Sequence, residues 1–232
     1  MQRGIKQGCP ISAVLFILVT EIMATKIRND ININGIKIKD SRNGIVYELK
    51  ISQYADDTTL MLKDIKDVTR VIKLLKEFSL VSGLKINVDK TVGMGLGLLK
   101  NTNEKIEGVQ FSNKPIKCLG IYVGDDQTES TKLNWEIKME KVENVLKSWK
   151  SRDLTIFGKI TIIKTLALSQ LNYIAQNTCI PVDIINRLNK ILFKFIWGKR
   201  DRVSRKLLYK QISEGGSNMV NVEIAFASLK VT

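Results

Sequence analysis

Residues 53–57, with the sequence Q-Y-A-D-D, place two adjacent aspartates between two runs of β-forming residues. Residues 48–52 alternate apolar and polar side chains, and residues 58–62 are mostly β-formers. This pattern predicts a β-hairpin with Asp56 and Asp57 at or near its tip. Because neighbouring side chains of a flat strand point to opposite faces, the two carboxylates share a site only at a bend. Such a bend suits a hard cation such as Mg²⁺, although Asp is also common in ordinary polar turns.

The net charge of +14 over 232 residues predicts a polyanionic partner, most simply nucleic acid. Residues 1–123 carry 19 basic and 12 acidic groups, and residues 124–232 carry 18 and 11, so each half has a net charge of +7. A basic surface over the whole body is therefore expected rather than one basic tail. The composition alone is also compatible with a protein that is merely rich in lysine.

The absence of histidine excludes a Ser–His–Asp triad and most transition-metal sites. The three cysteines, Cys9, Cys118 and Cys179, are too far apart in sequence to indicate a disulfide framework or a zinc cluster. Any chemistry would therefore use carboxylates and lysines. The longest apolar run, residues 13–19, is too short to span a bilayer, and no signal peptide is recognisable. We therefore expect a reducing, intracellular setting without a membrane partner.

The first part of the chain has a mixture of helix and strand signals. A loop with several glycines, residues 3–12, leads through Pro10 into an apolar helix. The N-terminus of this helix would favour phosphate; the alternative is an ordinary entry from a loop into a helix. Strands are expected at residues 36–39, 46–52, 92–98 and 118–123. Between them, Asp64 or Asp67 would cap a helix that Gly83 ends.

Beyond Gly124 the strand signals almost vanish. Residues 125–131 are predicted to be a linker or a helix cap, followed by three amphipathic helices from about Trp135, Leu154 and Pro181. Their aromatic stripes are expected to be core packing rather than platforms for bases. Residues 190–210 contain eight basic groups and one acid, which predicts either a solvated face or a phosphate-binding surface.

Taken together, these segments resemble reverse transcriptases of the non-LTR (LINE-type) retrotransposons. The later palm motifs of that family are similar, in order, to R-G-I-K-Q-G-C-P-I-S (3–12), Q-Y-A-D-D (53–57), S-G-L-K-I-N-V-D-K-T (82–91) and K-C-L-G-I (117–121). The thumb of the family resembles residues 154–164, 193–198, 215–216 and 225–227. The resemblance covers nearly the whole chain. It implies an α+β fold: a partial right-hand palm with an antiparallel sheet in residues 1–123, and an all-α thumb in residues 124–232.

The resemblance implies a role for each matching position. Asp56 and Asp57 would be catalytic metal ligands for Mg²⁺, two ions in the parental site, and Lys90 would act near the triphosphate. Nucleotide and template contacts would come from Gln7, Gly8, Pro10, Ser12 and Tyr54, and the primer grip from Lys117, Cys118, Leu119 and Gly120. Duplex binding would involve Lys159, Lys164, Lys190, Lys194, Lys199 and Arg200. The implied partners are an RNA template, a DNA primer or duplex, and deoxynucleoside triphosphates, and the implied location is the nucleus or cytoplasm.

The chain also departs from the family pattern. Ala13 replaces a usual second proline, and Cys118 replaces a usual aromatic residue. The family has a further palm aspartate on an earlier strand, and no acid before Gln53 has a comparable context. A two-metal site with one adjacent carboxylate pair is under-ligated, so we expect this polypeptide to be inactive alone and to leave apolar sheet surface uncovered.

Three hypotheses follow. The first is a palm-and-thumb portion of an RNA-directed DNA polymerase that works by two-metal nucleotidyl transfer. The second is a non-catalytic remnant that binds nucleic acid through its basic helical half. The third, a packing or interaction module without a nucleic-acid role, explains none of the four palm-like motifs.

Overall fold

The structure, a computed structural model, describes residues 8–198 and 200–230. The chain forms two compact units, Met1–Leu119 and Gly120–Thr232. The first combines helices with short strands, and the second consists almost entirely of helices. The predicted α+β class is therefore confirmed, with the helical part in the second half of the chain.

The first unit contains two long helices and several short strands. In chain order the elements are α1 (Pro10–Asn29), β1 (Ile36–Lys39), β2 (Val46–Leu49), β3 (Ile51–Tyr54), β4 (Asp57–Leu60), α2 (Ile65–Ser82), β5 (Val92–Gly93), β6 (Lys105–Ile106), β7 (Val109–Phe111) and β8 (Ile116–Cys118). Strands β1 and β2 form one antiparallel pair, and β3 and β4 form another. Strand β7 lies between β5, to which it is parallel, and β6, to which it is antiparallel.

Local sequence explains where these elements begin and end. Helix α2 ends at Gly83, whose φ of 77° is left-handed and whose N–H donates to the Ser79 carbonyl, as predicted. Asp64 is the N-cap residue of α2, but its side chain makes no capping hydrogen bond. The strand expected at residues 92–98 is reduced in the structure to β5, Val92–Gly93. The end of the expected range belongs to a 3₁₀ turn, Gly97–Leu99.

The apolar core of the first unit is divided into two small clusters. One contains Ala24, Ile27, Ile33, Ile51 and Val71 and joins α1, β3 and α2. The other contains Ile72, Val109 and Phe111. Both clusters use α2, so this helix is the common support of the unit.

Helix α1 exposes most of its apolar side chains. Only two of its 20 residues, Ala24 and Ile27, are buried, whereas Leu18 and Ile22 are 58% and 66% exposed. The whole of α1 is long and apolar enough to cross a membrane, although the uninterrupted apolar run within it, residues 13–19, is too short. A buried core helix and a signal sequence near an N-terminus pass the same test, so this is weak evidence for a membrane span.

The second unit begins with β9 and continues through helices. The elements are β9 (Ile121–Val123), α3 (Gln127–Lys150), α4 (Ile156–Ile162), a π-helical turn (Ile163–Ala167), α5 (Ser169–Asn177), α6 (Val182–Trp197), α7 (Arg205–Tyr209), a 3₁₀ turn (Ile212–Glu214) and α8 (Val222–Ser228). Helix α3 starts within the expected linker, because the Asp126 side chain caps it by accepting from the N–H groups of Thr128 and Glu129. The single helix predicted from about Leu154 is divided in the structure into α4, the π-helical turn and α5.

One contiguous core holds the second unit together. It contains 21 buried apolar residues from α3 to α8, with Trp135, Leu188 and Phe193 among those fully or almost fully buried. The indole Nε1 of Trp135 donates to the Cys179 carbonyl at 3.0 Å, so its polar atom is also satisfied. The prediction that the aromatic stripes are core packing is confirmed for Trp135 and Phe193.

Candidate functional site

The two aspartates lie on the β3–β4 hairpin. Tyr54 pairs with Asp57 across the ladder, so Ala55 and Asp56 form a two-residue turn. Ala55 has a φ of 52°, a left-handed value that costs a residue with a side chain about 1 kcal/mol or more. Asp56 therefore projects from the turn and Asp57 begins β4, both exposed to solvent. The hairpin predicted from the sequence is formed, with one carboxylate on the bend and one beside it.

Two exposed carboxylates on one turn are chemically suited to a single Mg²⁺ ion. Magnesium in phosphoryl-transfer sites is held by one or two carboxylates, with water and substrate phosphates completing its coordination. Within residues 8–198 and 200–230, no group of three or more His, Cys, Asp or Glu side chains is close enough to hold a metal ion. Asp56 and Asp57 thus fit one ion, but the described residues do not supply the ligands of a two-metal site.

The loop expected to contact nucleotide and template leads directly into α1. Gly8 is exposed with a φ of 86°, and Pro10 is the first residue of the helix. No acidic residue lies in the first turn of α1, so its positive dipole end is not neutralised locally. Ser12 lies in this turn, whereas Gln7 is outside the described residues.

Lys90 ends a 3₁₀ turn, Val88–Lys90, and its side chain is exposed. The turn is fixed by Asn87, whose side-chain oxygen accepts from the Lys90 backbone N–H at 3.1 Å. The backbone of Lys90 is therefore fixed while its ammonium group is accessible to a ligand.

The segment expected to be the primer grip reaches the acidic hairpin. The Cys118 Sγ of β8 lies 3.6 Å from the Thr59 Oγ1 of β4, two residues after Asp57. Lys117 is exposed beside it. Leu119 and Gly120 form the turn after β8 with φ values of 46° and 86°. Thr59 is not apparent from the sequence, since a threonine in a β-prone run carries no functional signal of its own.

Left-handed backbone occurs both in the β3–β4 turn and in the turn after β8. Four residues other than glycine have positive φ in the described parts of the chain, and two of them are Ala55 and Leu119. Left-handed backbone at non-glycine residues is uncommon and tends to cluster at functional sites. The left-handed backbone of Ala55 is therefore a further observation in favour of a site at the β3–β4 hairpin.

The lysines expected to bind a duplex have different environments. The Nζ of Lys159 donates to the Ile196 carbonyl, and the Nζ of Lys164 donates to the Asn218 carbonyl, both at 3.0 Å. Lys190, Lys194 and Arg200 are exposed. A sixth residue, Lys199, lies outside the described residues. The two bonded lysines thus help to hold the helical unit together, whatever else they contact.

Lys50 is a buried cation beside the hairpin, and its burial is not apparent from the sequence. It is 7% exposed, and its Nζ donates to the carbonyls of Arg28 and Asp30 at 2.9 and 3.0 Å. It thereby caps the C-terminal end of α1 from the residue preceding β3. Glu48 lies 3.7 Å from the Lys50 ammonium. A lysine in an alternating strand normally indicates an exposed position, so the pattern hid this role.

Carboxylates around this end of α1 are held in their ionised form. A hydrogen bond from Arg70, at 2.9 Å, lowers the pKa of Asp30, with help from the Asn32 backbone N–H. The backbone N–H of Gly35 donates a hydrogen bond to the Glu48 carboxylate at 2.8 Å, and this bond lowers the pKa of Glu48. The bond from Arg70 ties the end of α1 to α2, and the bond from Gly35 ties β2 to the residue before β1.

The sequence of the chain is similar to those of known proteins over most of its length. Residues 1–123, just over half of the chain, match the family described as "Reverse transcriptase (RNA-dependent DNA polymerase)". The chain is also similar to "Transposon TX1 uncharacterized 149 kDa protein" of Xenopus laevis, with 27% identity over 222 residues. This alignment covers 94% of the present chain but 16% of that relative. The chain therefore belongs to the reverse transcriptase (RNA-dependent DNA polymerase) family.

Proposed function

We propose that this chain supplies the later palm motifs and the thumb of a LINE-type reverse transcriptase, and takes part in RNA-directed DNA synthesis inside the cell. The observation that carries this proposal is the acidic β3–β4 hairpin, within a segment that matches the reverse transcriptase family. The contact between Thr59 and Cys118 supports it, because it brings the proposed primer grip beside that hairpin.

Each proposed role uses a feature of the described residues. Asp56 and Asp57 would hold Mg²⁺, which when bound neutralises negative charge that develops on phosphate oxygens. Lys90 would place a positive charge near the triphosphate. Gly8, Pro10 and Ser12, with Gln7 before them, would meet the nucleotide and template at the uncompensated N-terminus of α1. Tyr54 is 70% exposed at the end of β3 and could stack on a base or sugar there.

In the same proposal the helical unit binds the duplex of template and primer. Its described cations include the exposed Lys190, Lys194 and Arg200. Phosphate contacts of this kind give sequence-independent affinity that falls steeply with salt. Such a surface would hold the primer end without selecting a sequence.

The chain is proposed to be inactive alone. Two metal ions need more carboxylate ligands than Asp56 and Asp57 provide, and neutralising the charge in the transition state is worth several kcal/mol. The missing ligand would come from the earlier palm aspartate of a second polypeptide segment.

Primer extension tests this proposal. The chain is assayed on an RNA template with Mg²⁺, first alone and then with a fingers-and-early-palm polypeptide. We expect extension only with both polypeptides, loss of at least about 10²-fold in Asp56→Asn and Asp57→Asn, and loss on chelation of the metal. Asp40→Asn, in the β1–β2 turn, is the matched control and should keep full activity. Robust extension by the two aspartate variants would disprove the assigned roles.

A non-catalytic nucleic-acid-binding remnant is the second candidate. It is favoured by the lack of a third metal-binding side chain near the hairpin in the described parts of the chain. It predicts tight duplex binding that persists in Asp56→Asn and Asp57→Asn and weakens with salt, but no extension even after complementation. Salt-insensitive binding would count against both candidates.

A further inference from the structure

A cationic cavity lies on the second unit between α6 and the start of α7. Its volume is about 370 Å³, and it is lined by Lys190, Phe193, Lys194, Gly198, Asp201 and Arg205. The sequence predicts two of these residues, Lys190 and Lys194, as separate members of a basic surface. The structure gathers three cations and one carboxylate around a single concave site.

The two lysines present uncompensated charge to this cavity. Lys190 and Lys194 are four residues apart on α6, so they lie on the same side of the helix. Both are exposed, and neither forms an ion pair with any residue that the structure describes. Arg187, earlier on α6, differs because Glu136 and Glu143 bind its guanidinium and raise its pKa. The positive potential of this helix is therefore concentrated near its C-terminal half.

Two contacts orient Arg205 at the cavity wall. Its guanidinium carbon lies 4.1 Å from the ring centre of Phe193, which is 2% exposed and packs edge-on against Tyr209. Its Nε donates to Asp201 at 2.8 Å. This bond uses one of the five N–H donors of a guanidinium, whose planar fork matches two phosphate oxygens. Arg205 is thus pre-oriented at low entropic cost, and Asp201 serves as its support.

We propose that this cavity binds one phosphate group of a nucleic-acid backbone, with Arg205 as the oriented donor and Lys190 and Lys194 as flanking charges. The net charge of the lining is +2, which suits a phosphodiester better than a neutral or cationic group. This inference rests on the proposed nucleic-acid function and assigns one phosphate contact within it. Arg205 is the member that the sequence did not reveal, because its orientation depends on Phe193 and Asp201.

The test measures binding of a labelled RNA–DNA duplex to the full chain at several KCl concentrations. We expect Arg205→Gln to weaken binding about tenfold, as loss of one charge-assisted contact does. We also expect it to reduce the slope of log affinity against log salt by about one. Lys206→Gln is the matched control: it removes the same charge from the next residue of α7, which does not line the cavity. It should change the affinity less than twofold.

Arg205→Lys separates an oriented donor from simple charge. It keeps the positive charge, so the salt slope should stay close to that of the wild type, whereas affinity should fall several-fold because the stacked, forked donor is lost. Circular dichroism and thermal melting confirm that each variant is folded. If Arg205→Lys binds like the wild type, or Lys206→Gln is as weak as Arg205→Gln, the proposed phosphate site is wrong even though duplex binding survives.

A competition with inorganic phosphate at constant ionic strength distinguishes the source of the phosphate group. A backbone site predicts little competition, because a free ion lacks the neighbouring phosphates that hold the duplex in place. Displacement of the duplex by low concentrations of phosphate, lost in Arg205→Gln, would instead assign the cavity to a free phosphate ligand and overturn the backbone assignment. Absence of any duplex binding by the wild-type chain would reject the proposed function itself.

Discussion

The two units of this chain have similar lengths but very different cores. Of the 29 buried apolar residues in the described structure, 21 belong to the single cluster of the helical unit. The other eight are divided between two clusters in the α+β unit. The proposed catalytic hairpin is therefore on the unit with the smaller core, and the proposed duplex-binding residues are on the unit with the larger one.

This difference separates two tasks. A contiguous helical core gives α6 and α7 a rigid support, on which charged side chains such as Lys194 and Arg205 are presented. The α+β unit instead relies on polar ties such as Lys50 and Asp30 to hold its helices against the hairpin. Free energies of local opening should differ accordingly, with slower amide exchange in α3 and α6 than in β3 and β4.

The largest effect is expected from Trp135→Ala in the helical core. Trp135 is fully buried, and its loss would leave a large cavity and an unpaired Cys179 carbonyl. Destabilisation of about 3–5 kcal/mol is expected, measured by urea unfolding followed with circular dichroism. Ile137→Ala, at a 39% exposed position of the same helix, is the control and should cost about 1 kcal/mol or less. Equal costs for the two variants would contradict a single dominant core in this unit.

Lys50→Met should destabilise the α+β unit by about 2 kcal/mol, because the carbonyls of Arg28 and Asp30 lose the donor that Lys50 provides. The effect should be local: hydrogen exchange should accelerate at the C-terminal turn of α1 and in β3, while α3 and α6 remain protected. Lys39→Met, on the exposed strand β1, is the control. If Lys50→Met leaves exchange unchanged, the ammonium is not a structural tie between α1 and the hairpin.

Elements with a strong local signal could be predicted from the sequence. The acidic hairpin, the end of α2 at Gly83 and the helix beginning after Pro181 depend on turn chemistry and helical periodicity, which neighbouring residues determine. The aromatic core of the helical unit follows for the same reason, since Trp135 falls on a regular apolar stripe.

Features that depend on distant partners could not be predicted. Lys50 is buried only because the end of α1 folds against it, and Thr59 acquires interest only because Cys118 approaches it. The same holds for Arg205, whose orientation needs an aromatic ring twelve residues earlier. The apolar stripe of α1 was predicted as a helix correctly, but helical periodicity does not reveal whether such a stripe is covered.

A smaller effect, dependent on pH, is expected from Asp30→Asn. The bond from Arg70 holds the pKa of Asp30 below its ordinary value in the folded protein. The folded state therefore gains stability above the ordinary pKa and loses it as the pH falls through the lowered one. The variant should be slightly less stable than the wild type near neutral pH, and the two should converge in acid. Unfolding midpoints measured from pH 2 to 7 test this; a difference that grows in acid would reverse the sign and contradict the ion pair.

The smallest effect on stability is expected on the exposed face of α1. Substitutions there test directly whether the core of the α+β unit is as small as its buried clusters indicate. Leu18→Gln combined with Ile22→Gln removes two apolar side chains that are 58% and 66% exposed. Since glutamine and leucine have similar helix propensities, the free energy of unfolding should change by no more than about 0.5 kcal/mol. Ile27→Gln on the same helix is the contrast: at a 1% exposed position it should cost about 3 kcal/mol or more.

Sedimentation at increasing protein concentration should show less self-association for the double variant, because exposed apolar patches promote it. A large loss of stability in that variant would mean that this face is covered in solution, and that the α+β unit has a larger core than its two buried clusters indicate.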